Sequence, residues 1–408
     1  MLLKNCRYRT QNGAIKRGNI RIEEGIIESA GDLKAGRDED IEDLNGKLVI
    51  PGLICYHSHA YSALAFAFHT KERPSSFESI LKNLWWPLDS TLDREEVYCS
   101  GVLTAMEYLR HGVTTIFDHH ASKNFITGSL EELKKAFEHV GIRGSLSYEV
   151  TDRYGEERTE EALRENERSV KHYGGLVGLH ASFTLSDGTL AKCAELAEKL
   201  DTGFHVHLAE GKIDNRDAVK RGYRSAADRL SRFGILNEKS IVAHCVNVSA
   251  EDIGLLKRTN VVTCPGSNAN NGVGIMNLKA MLQERINMVL GNDSFGYDML
   301  EEAKRLSFLQ NLRAKEQYMI PTDVLFNSDP ASKLIGRRIG RIKTGYSADL
   351  VVLKDWPSME SMDTEHVMVD GQWIIKNREF VKDLTEDLRR IRKAAERVGE
   401  KSSDTEVI

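Results

Sequence analysis

Hydrophobic and polar positions along the middle of the chain fall into a repeating two-part rhythm. Short β-like runs are separated by helical patterns: LVIPGLICYH (48–57), GVTTIFDH (112–119), VGIRGSLSYEV (140–150), GLVGLHASFT (175–184), TGFHVHLA (202–209), KSIVAHCV (239–246), NVVTCP (260–265) and INMVLGND (286–293). Several are apolar at consecutive positions, as strands buried on both faces must be. Between them, REEVYCSGVLTAMEYLRHG puts Val97, Leu103, Met106 and Leu109 at helical spacing, and DGTLAKCAELAEKL is similar. SLEELKKAFEHVG predicts a helix opened by a capping box of Ser129 and Glu132. Eight strand–helix units in series predict an α/β fold, a (β/α)8 TIM-type barrel with its chemistry at the C-terminal strand ends. A doubly wound open sheet is the rival.

The flanks follow a different pattern. GNIRIEEGIIESAGDL near the start, and GRIKTGYSADLVVLKDW with HVMVDGQWIIKNREF near the end, read as strand, glycine-containing turn, strand. Neither flank buries enough area to fold alone. Residues 1–49 with 338–382 are therefore expected to build one small β-sandwich-like domain, and 50–337 the barrel. Residues 383–408 hold an amphipathic helix, TEDLRRIRKAAERVGEK, and a tail.

Composition narrows the function. The chain has 408 residues, 41% hydrophobic and 29% charged, with a net charge of −5. That charge offers no field for nucleic acid, and no basic stripe is interleaved with aromatics. No stretch is long and apolar enough to span a bilayer, and MLLKNCRYRT is too charged for a signal segment, so cytoplasmic residence without a membrane partner is expected. The six cysteines form no C-x-x-C pair, which speaks for reduced, buried thiols and against a cysteine zinc site. A homo-oligomer, a dimer, is the expected assembly.

The strand ends carry the chemistry. His57 and His59 close the first run, and alternation in a strand puts both imidazoles on one face, an arrangement that suits two ligands of one metal ion. The fourth run gives His180; the fifth gives His205 and His207, then Glu210; the sixth gives His244, the eighth Asp293. A single buried histidine is more often a hydrogen-bonded core residue than a ligand. Five strand ends that each bring a metal-competent group are another matter, because buried polar groups are costly without partners and one ion satisfies them together.

The motifs PGLICYHSH, HVHLAE, VAHCV, CPGSN, GNDSFG and GRIKTGYSADLVV resemble those of the amidohydrolase superfamily, in its mononuclear deaminase and chlorohydrolase branch. NLWWPLD, DHHAS and GLHASFT resemble, more narrowly, the SsnA-type aminohydrolases. The resemblance covers nearly the whole chain. It implies metal ligands at His57, His59, His207 and Asp293, proton transfer through Glu210, and a water- or substrate-orienting role for His244. It also implies one divalent ion, zinc or alternatively iron. Three imidazoles and a carboxylate leave the ion an open position for water, whose pKa zinc lowers from about 15.7 to about 7. Asp293 is then placed to accept a proton as well as to ligate. The resemblance further suggests substrate contacts at His180 and Asp89, and His119 or His120 should face the barrel mouth. Trp85 and Trp86 are open between stacking on a flat ring and packing.

Three departures stand out. ANNGVG after CPGSN replaces a more apolar run, His205 is an additional imidazole on the face of His207, and no lysine ends the fourth run to bridge two metals. Being further from the strand end, His205 should lie one layer below the ion and outside its ligand shell. The expected activity is hydrolytic deamination of a small purine- or pyrimidine-like heterocycle by metal-activated water. Ring opening of a cyclic amide, or displacement of a group such as chloride, is the alternative; a catalytically silent metal-bound barrel is a third.

Overall fold

The computed structural model describes residues 1–70, 72–315, 317, 322–354 and 363–404. Each of the eight central runs contributes a strand to a ring: β1 (Leu53–Ser58), β2 (Val113–His120), β3 (Arg143–Tyr148), β4 (Val177–Ala181), β5 (Phe204–Leu208), β6 (Ile241–His244), β7 (Asn260–Thr263) and β8 (Asn287–Leu290). All pairings are parallel, β1 to β3 in one arc and β4 to β8 in another. Single parallel bridges from Val150 to Leu179 and from Ser58 to Asp293 join the arcs at both seams. The ring is closed, which excludes the open sheet.

Every residue of β1, β2, β4, β5, β6 and β7 is buried, because helices cover the outside and side chains fill the inside. Ile54, Tyr56, Phe117, Ile241, Val262 and Val289 form one apolar cluster. Strands as far apart in the ring as β2 and β6 meet through its interior, so this cluster is the plug beneath the site. Within it, Tyr56 and Phe117 stack with centroids 5.2 Å apart.

The first run divides between two sheets, a correction to reading it as one strand. Leu48–Pro51 pairs antiparallel with Leu350–Leu353, and β1 begins only after Gly52. There the backbone passes so close to β2 that a Cβ on Gly52 would lie 2.2 Å from Thr114 Oγ1. The strands before Gly52 and those from Leu350 to Phe380 pair into one nine-stranded sheet. Its core includes Leu3, Ile20, Ile27, Val49, Leu350 and Met368. Arg143 at the start of β3 donates to both carboxylate oxygens of Asp349, at 2.7 and 3.2 Å, and so fastens this sheet to the barrel. We propose the division 1–49 with 338–382, 50–337 and 383–408 on this basis.

The terminal helix, Thr385–Asp404, buries Ile391, Ala394, Ala395 and Val398, a stripe at helical spacing. Arg390 and Arg397 pair with Glu95 and Glu96 at 3.0 and 2.6 Å, holding it on the helix Arg94–Arg110. The helix Ser129–Val140 forms, but its capping box does not. Gly128 is the N-cap, and Ser129 Oγ donates to the Ile126 carbonyl. The Glu165 carboxylate, from a different helix, accepts the Gly128 and Leu130 N–H groups at 3.0 Å each. A full charge from another element serves these orphan donors better than a local hydroxyl and displaces it. All six cysteines are buried and unbridged. Among the described residues no helix is long and apolar enough to cross a membrane.

Candidate active site and metal centre

Two of the strand-end residues sit on strained backbone. His244 and Asp293 have φ of 72° and 62°, conformations that cost non-glycine residues about 1–3 kcal/mol and persist where packing over-determines them. Neighbouring strands hold them: Cys245 N–H donates to the Leu208 carbonyl at 2.9 Å, and Asp293 N–H to the His57 carbonyl at 3.0 Å.

Hydrogen bonds to the Nδ1 atoms set the tautomers of the imidazoles. His59 Nδ1 lies 2.6 Å from the His119 carbonyl, and His207 Nδ1 lies 2.6 Å from the His180 carbonyl. A carbonyl only accepts, so both Nδ1 atoms carry the proton and both Nε2 atoms present lone pairs. His244 Nδ1 donates in the same way to Asn268 Oδ1 at 2.8 Å. His57 Nδ1 lies 2.8 Å from His205 Nε2.

These lone pairs converge. His59 Nε2 is 3.1 Å from His207 Nε2 and 3.1 Å from Asp293 Oδ1, and His57 Nε2 is 3.8 Å from the same oxygen. The Nε2 atoms of His57 and His244 are buried with no partner among the described residues. Acceptors facing one another in a dry site repel unless a cation lies between them. Neutral imidazoles with one carboxylate are the donor set of a divalent transition-metal ion, so the residues fit such an ion. The ligating atoms of His57, His59, His119 and His207 lie within 4.8 Å of one another, as do those of His57, His244 and Asp293.

The electrostatics set a proton against an ion at this position. Burial alone would lower the His59 pKa, but the hydrogen bond and charge of Asp293, with Glu149 and Asp118 nearby, raise it to about 9, so His59 Nε2 gives up a proton when it ligates. The same pair, acting against burial and helped by Ser267, holds Asp293 well below the usual carboxylate range. Ser267 donates its hydroxyl to Asp293 Oδ2 and fixes the carboxylate. Burial drives His57 and His207 far below the ordinary imidazole value, which keeps them neutral and able to ligate.

Glu210 and His244 stand together over this cluster, with Glu210 Oε2 3.5 Å from His244 Nε2. Asn271, from the ANNGVG loop, donates to Glu210 Oε1 at 3.3 Å, and Asn247 holds the Glu210 carbonyl at 2.6 Å. Burial, opposed by His244 and reinforced by the charge of Asp293, raises the Glu210 pKa above the ordinary carboxylate value.

His205 is fully committed below the cluster. Its Nε2 meets His57 Nδ1, and its Nδ1 lies 3.4 Å from Ser147 Oγ, whose hydroxyl donates to the Asp118 carbonyl. Burial, with the charges of His59 and His244, lowers its pKa to about 3, so it is a neutral acceptor. With His57 Nδ1–H donating into it, the His57 lone pair is aimed at the cluster.

A cavity opens above these groups. His180 and Asp89 both line it, beside Trp85, Trp86, Tyr61 and Phe183. Asp89 is already partnered: the Tyr154 hydroxyl lies 2.9 and 3.0 Å from its two oxygens and Arg153 is 3.5 Å away. The Arg153 guanidinium lies 4.6 Å from the Trp86 ring, so that indole both packs and faces the cavity. His119 and His120 are corrected as substrate contacts, since neither lines the cavity. His120 Nε2 turns to Ser122 Oγ at 2.8 Å, and His119 sits within the imidazole cluster, its Nδ1 3.5 Å from Glu149 Oε1. Glu149 and Arg153 line the cavity and were missed in the sequence. Glu149 follows β3 directly, a polar strand-end residue that a search for histidines passes over. Arg153 lies beyond the run, with no local signal.

A closed parallel barrel with converging imidazoles and a carboxylate at its C-terminal rim defines a metal-dependent hydrolase. The chain belongs to the amidohydrolase family, whose model matches residues 48–374. It is 30% identical to a 5-methylthioadenosine/S-adenosylhomocysteine deaminase of Pyrococcus furiosus, over 90% of this chain and 93% of that protein. It is 28% identical to a 5'-deoxyadenosine deaminase of Methanosarcina mazei, over 97% and 98%. Its fold is that of an adenosine deaminase from Xanthomonas campestris solved with bound zinc, with a TM-score of 0.84 at 19% identity over 97% of this chain and 98% of that one.

Proposed function

We propose that this enzyme hydrolytically deaminates a nitrogen heterocycle of purine or pyrimidine type, using one zinc ion held by His57, His59, His207 and Asp293. The observation that carries the reading is the convergence of Nε2 lone pairs on Asp293 at the floor of a cavity walled by Glu210 and aromatic rings. The deaminase relatives, aligned over nearly the whole chain, support it.

When bound, the ion acidifies water and polarises the ring atom under attack. The chain's own groups do the rest. Glu210 takes a proton from the attacking water and passes it to the neighbouring ring nitrogen; it then takes the second proton from the added hydroxyl and delivers it to the departing amine, leaving the carbonyl. His244, with Nδ1–H anchored on Asn268, keeps Nε2 directed at the incoming oxygen. Ser267 holds Asp293 in one orientation throughout. Water adds, ammonia leaves, and the ring keeps a carbonyl.

The test is ammonia release from a panel of aminated heterocycles, with chloride release and ring opening followed on chlorinated and cyclic-amide analogues. Ammonia from at least one amine, with one tightly bound ion per chain, is expected. Chloride release or ring opening without ammonia points to the alternative chemistry, and two tightly bound ions overturn the mononuclear site. Metal without any hydrolysis indicates a silent barrel.

A further inference from the structure

His119 occupies a position that the proposed ligand set does not explain. It is fully buried at the end of β2, and neither ring nitrogen has a hydrogen-bond partner among the described residues. The other buried imidazoles nearby do not share this state: His120 meets Ser122, His205 meets His57, and His180 Nδ1 meets Thr184 Oγ1 at 2.8 Å. Burying a neutral imidazole with both its donor and its acceptor idle is unfavourable unless something absent from the polypeptide completes it.

The surroundings of His119 indicate what that is. Its ring centroid is 4.8, 5.7 and 5.9 Å from those of His207, His59 and His57, whereas those three rings are 4.8–5.1 Å from one another. His119 therefore stands nearly as close to the cluster as its members stand to each other. Its Nδ1 is 3.5 Å from Glu149 Oε1, and its face stacks on His205 with centroids 4.6 Å apart and planes 17° apart. A carboxylate beside one ring nitrogen of a histidine, with the other nitrogen free towards a metal, is the arrangement that orients ligating imidazoles and raises their basicity.

We propose that His119 is a further ligand of the ion, binding through Nε2 while Nδ1–H donates to Glu149. The inference rests on the reading that this cluster holds an ion. With His57, His59, His207 and Asp293, the chain would then offer five donors to the ion.

The wild-type full chain loaded with zinc decides the matter by X-ray absorption and by a crystal structure of the loaded protein. Four imidazoles, with a His119 ring nitrogen about 2.0–2.1 Å from the ion, are expected. His119→Phe keeps a ring on His205 but removes both nitrogens. It should weaken zinc binding tenfold or more in chelator competition and intensify the visible bands of the Co(II)-loaded protein as the coordination number falls. Glu149→Gln should weaken binding less. A loaded wild-type shell without His119 overturns the inference and leaves the proposed function standing, as does a folded His119→Phe protein that binds zinc and Co(II) like wild type. A wild-type protein that binds no ion overturns both. Should His119→Phe fail to fold, the wild-type measurements decide alone.

Discussion

Replacing His205 tests whether the layer beneath the ion controls metal binding. In the structure His205 accepts the His57 Nδ1–H at 2.8 Å, and His57 is 0% exposed, so no water can take over that bond. His205→Leu leaves a buried donor unsatisfied, at a cost of about 1–3 kcal/mol. The cost falls on the ring orientation and tautomer that bind the ion. At about 1.4 kcal/mol per tenfold, zinc affinity should drop by about 10–100-fold, the range typical of lost outer partners of metal-binding histidines. His205→Gln offers a carbonyl acceptor and should lose less than about tenfold. His207→Gln removes a lone pair from the cluster itself and should lose the metal. Chelator competition at neutral pH measures each affinity, and thermal unfolding with and without chelator separates metal loss from misfolding. The reasoning fails if His205→Leu binds zinc like wild type. It fails equally if His205→Gln loses zinc as completely as His207→Gln, because His205 would then be a ligand despite having both nitrogens engaged.

Other substitutions probe catalysis, charge and packing. Glu210→Gln should keep its metal and lose about 10²–10⁴-fold in turnover; near wild-type turnover in a metal-replete variant excludes the proton-carrying role. Burial pushes the Asp89 pKa up from 3.8 to about 6, against the pull of Arg153 and Tyr154. A carboxyl whose folded-state pKa is raised favours the folded state most below its unfolded pKa, and that contribution is lost as pH rises through the folded value. Wild type should thus lose about 3 kcal/mol relative to Asp89→Asn between pH 4 and pH 7, at about 1.36 kcal/mol per pKa unit; urea melts showing the opposite trend refute the assignment. Gly52→Ala forces a Cβ onto Thr114 and should destabilise by about 1–3 kcal/mol, read as a lower Tm with unchanged zinc content.

What the sequence reveals depends on how far each interaction reaches along the chain. The eight barrel strands were legible because burial on both faces leaves runs such as IVAH and NVVT with no polar interruption. His57, His207, His244 and Asp293 stood out for the same reason: a polar residue directly after such a run needs a partner. Features decided by distant partners stayed hidden. Glu165 caps a helix whose own Ser129 looked sufficient, and Thr114, more than 60 residues away, dictates a glycine at position 52. Adjacent His119 and His120 show the limit of periodicity. Alternation requires them to face opposite ways, but both are wholly buried, so exposure cannot tell them apart. Ser122 and Glu149 decide between them, giving His120 a hydroxyl and leaving His119 beside a carboxylate and three metal-competent rings. His205 was assigned its depth by the rise of a strand, yet its partner proved to be His57, one of the candidate ligands. Strand geometry therefore predicts which layer a side chain occupies, while the partner that fixes its chemistry comes from another strand and requires the closed ring.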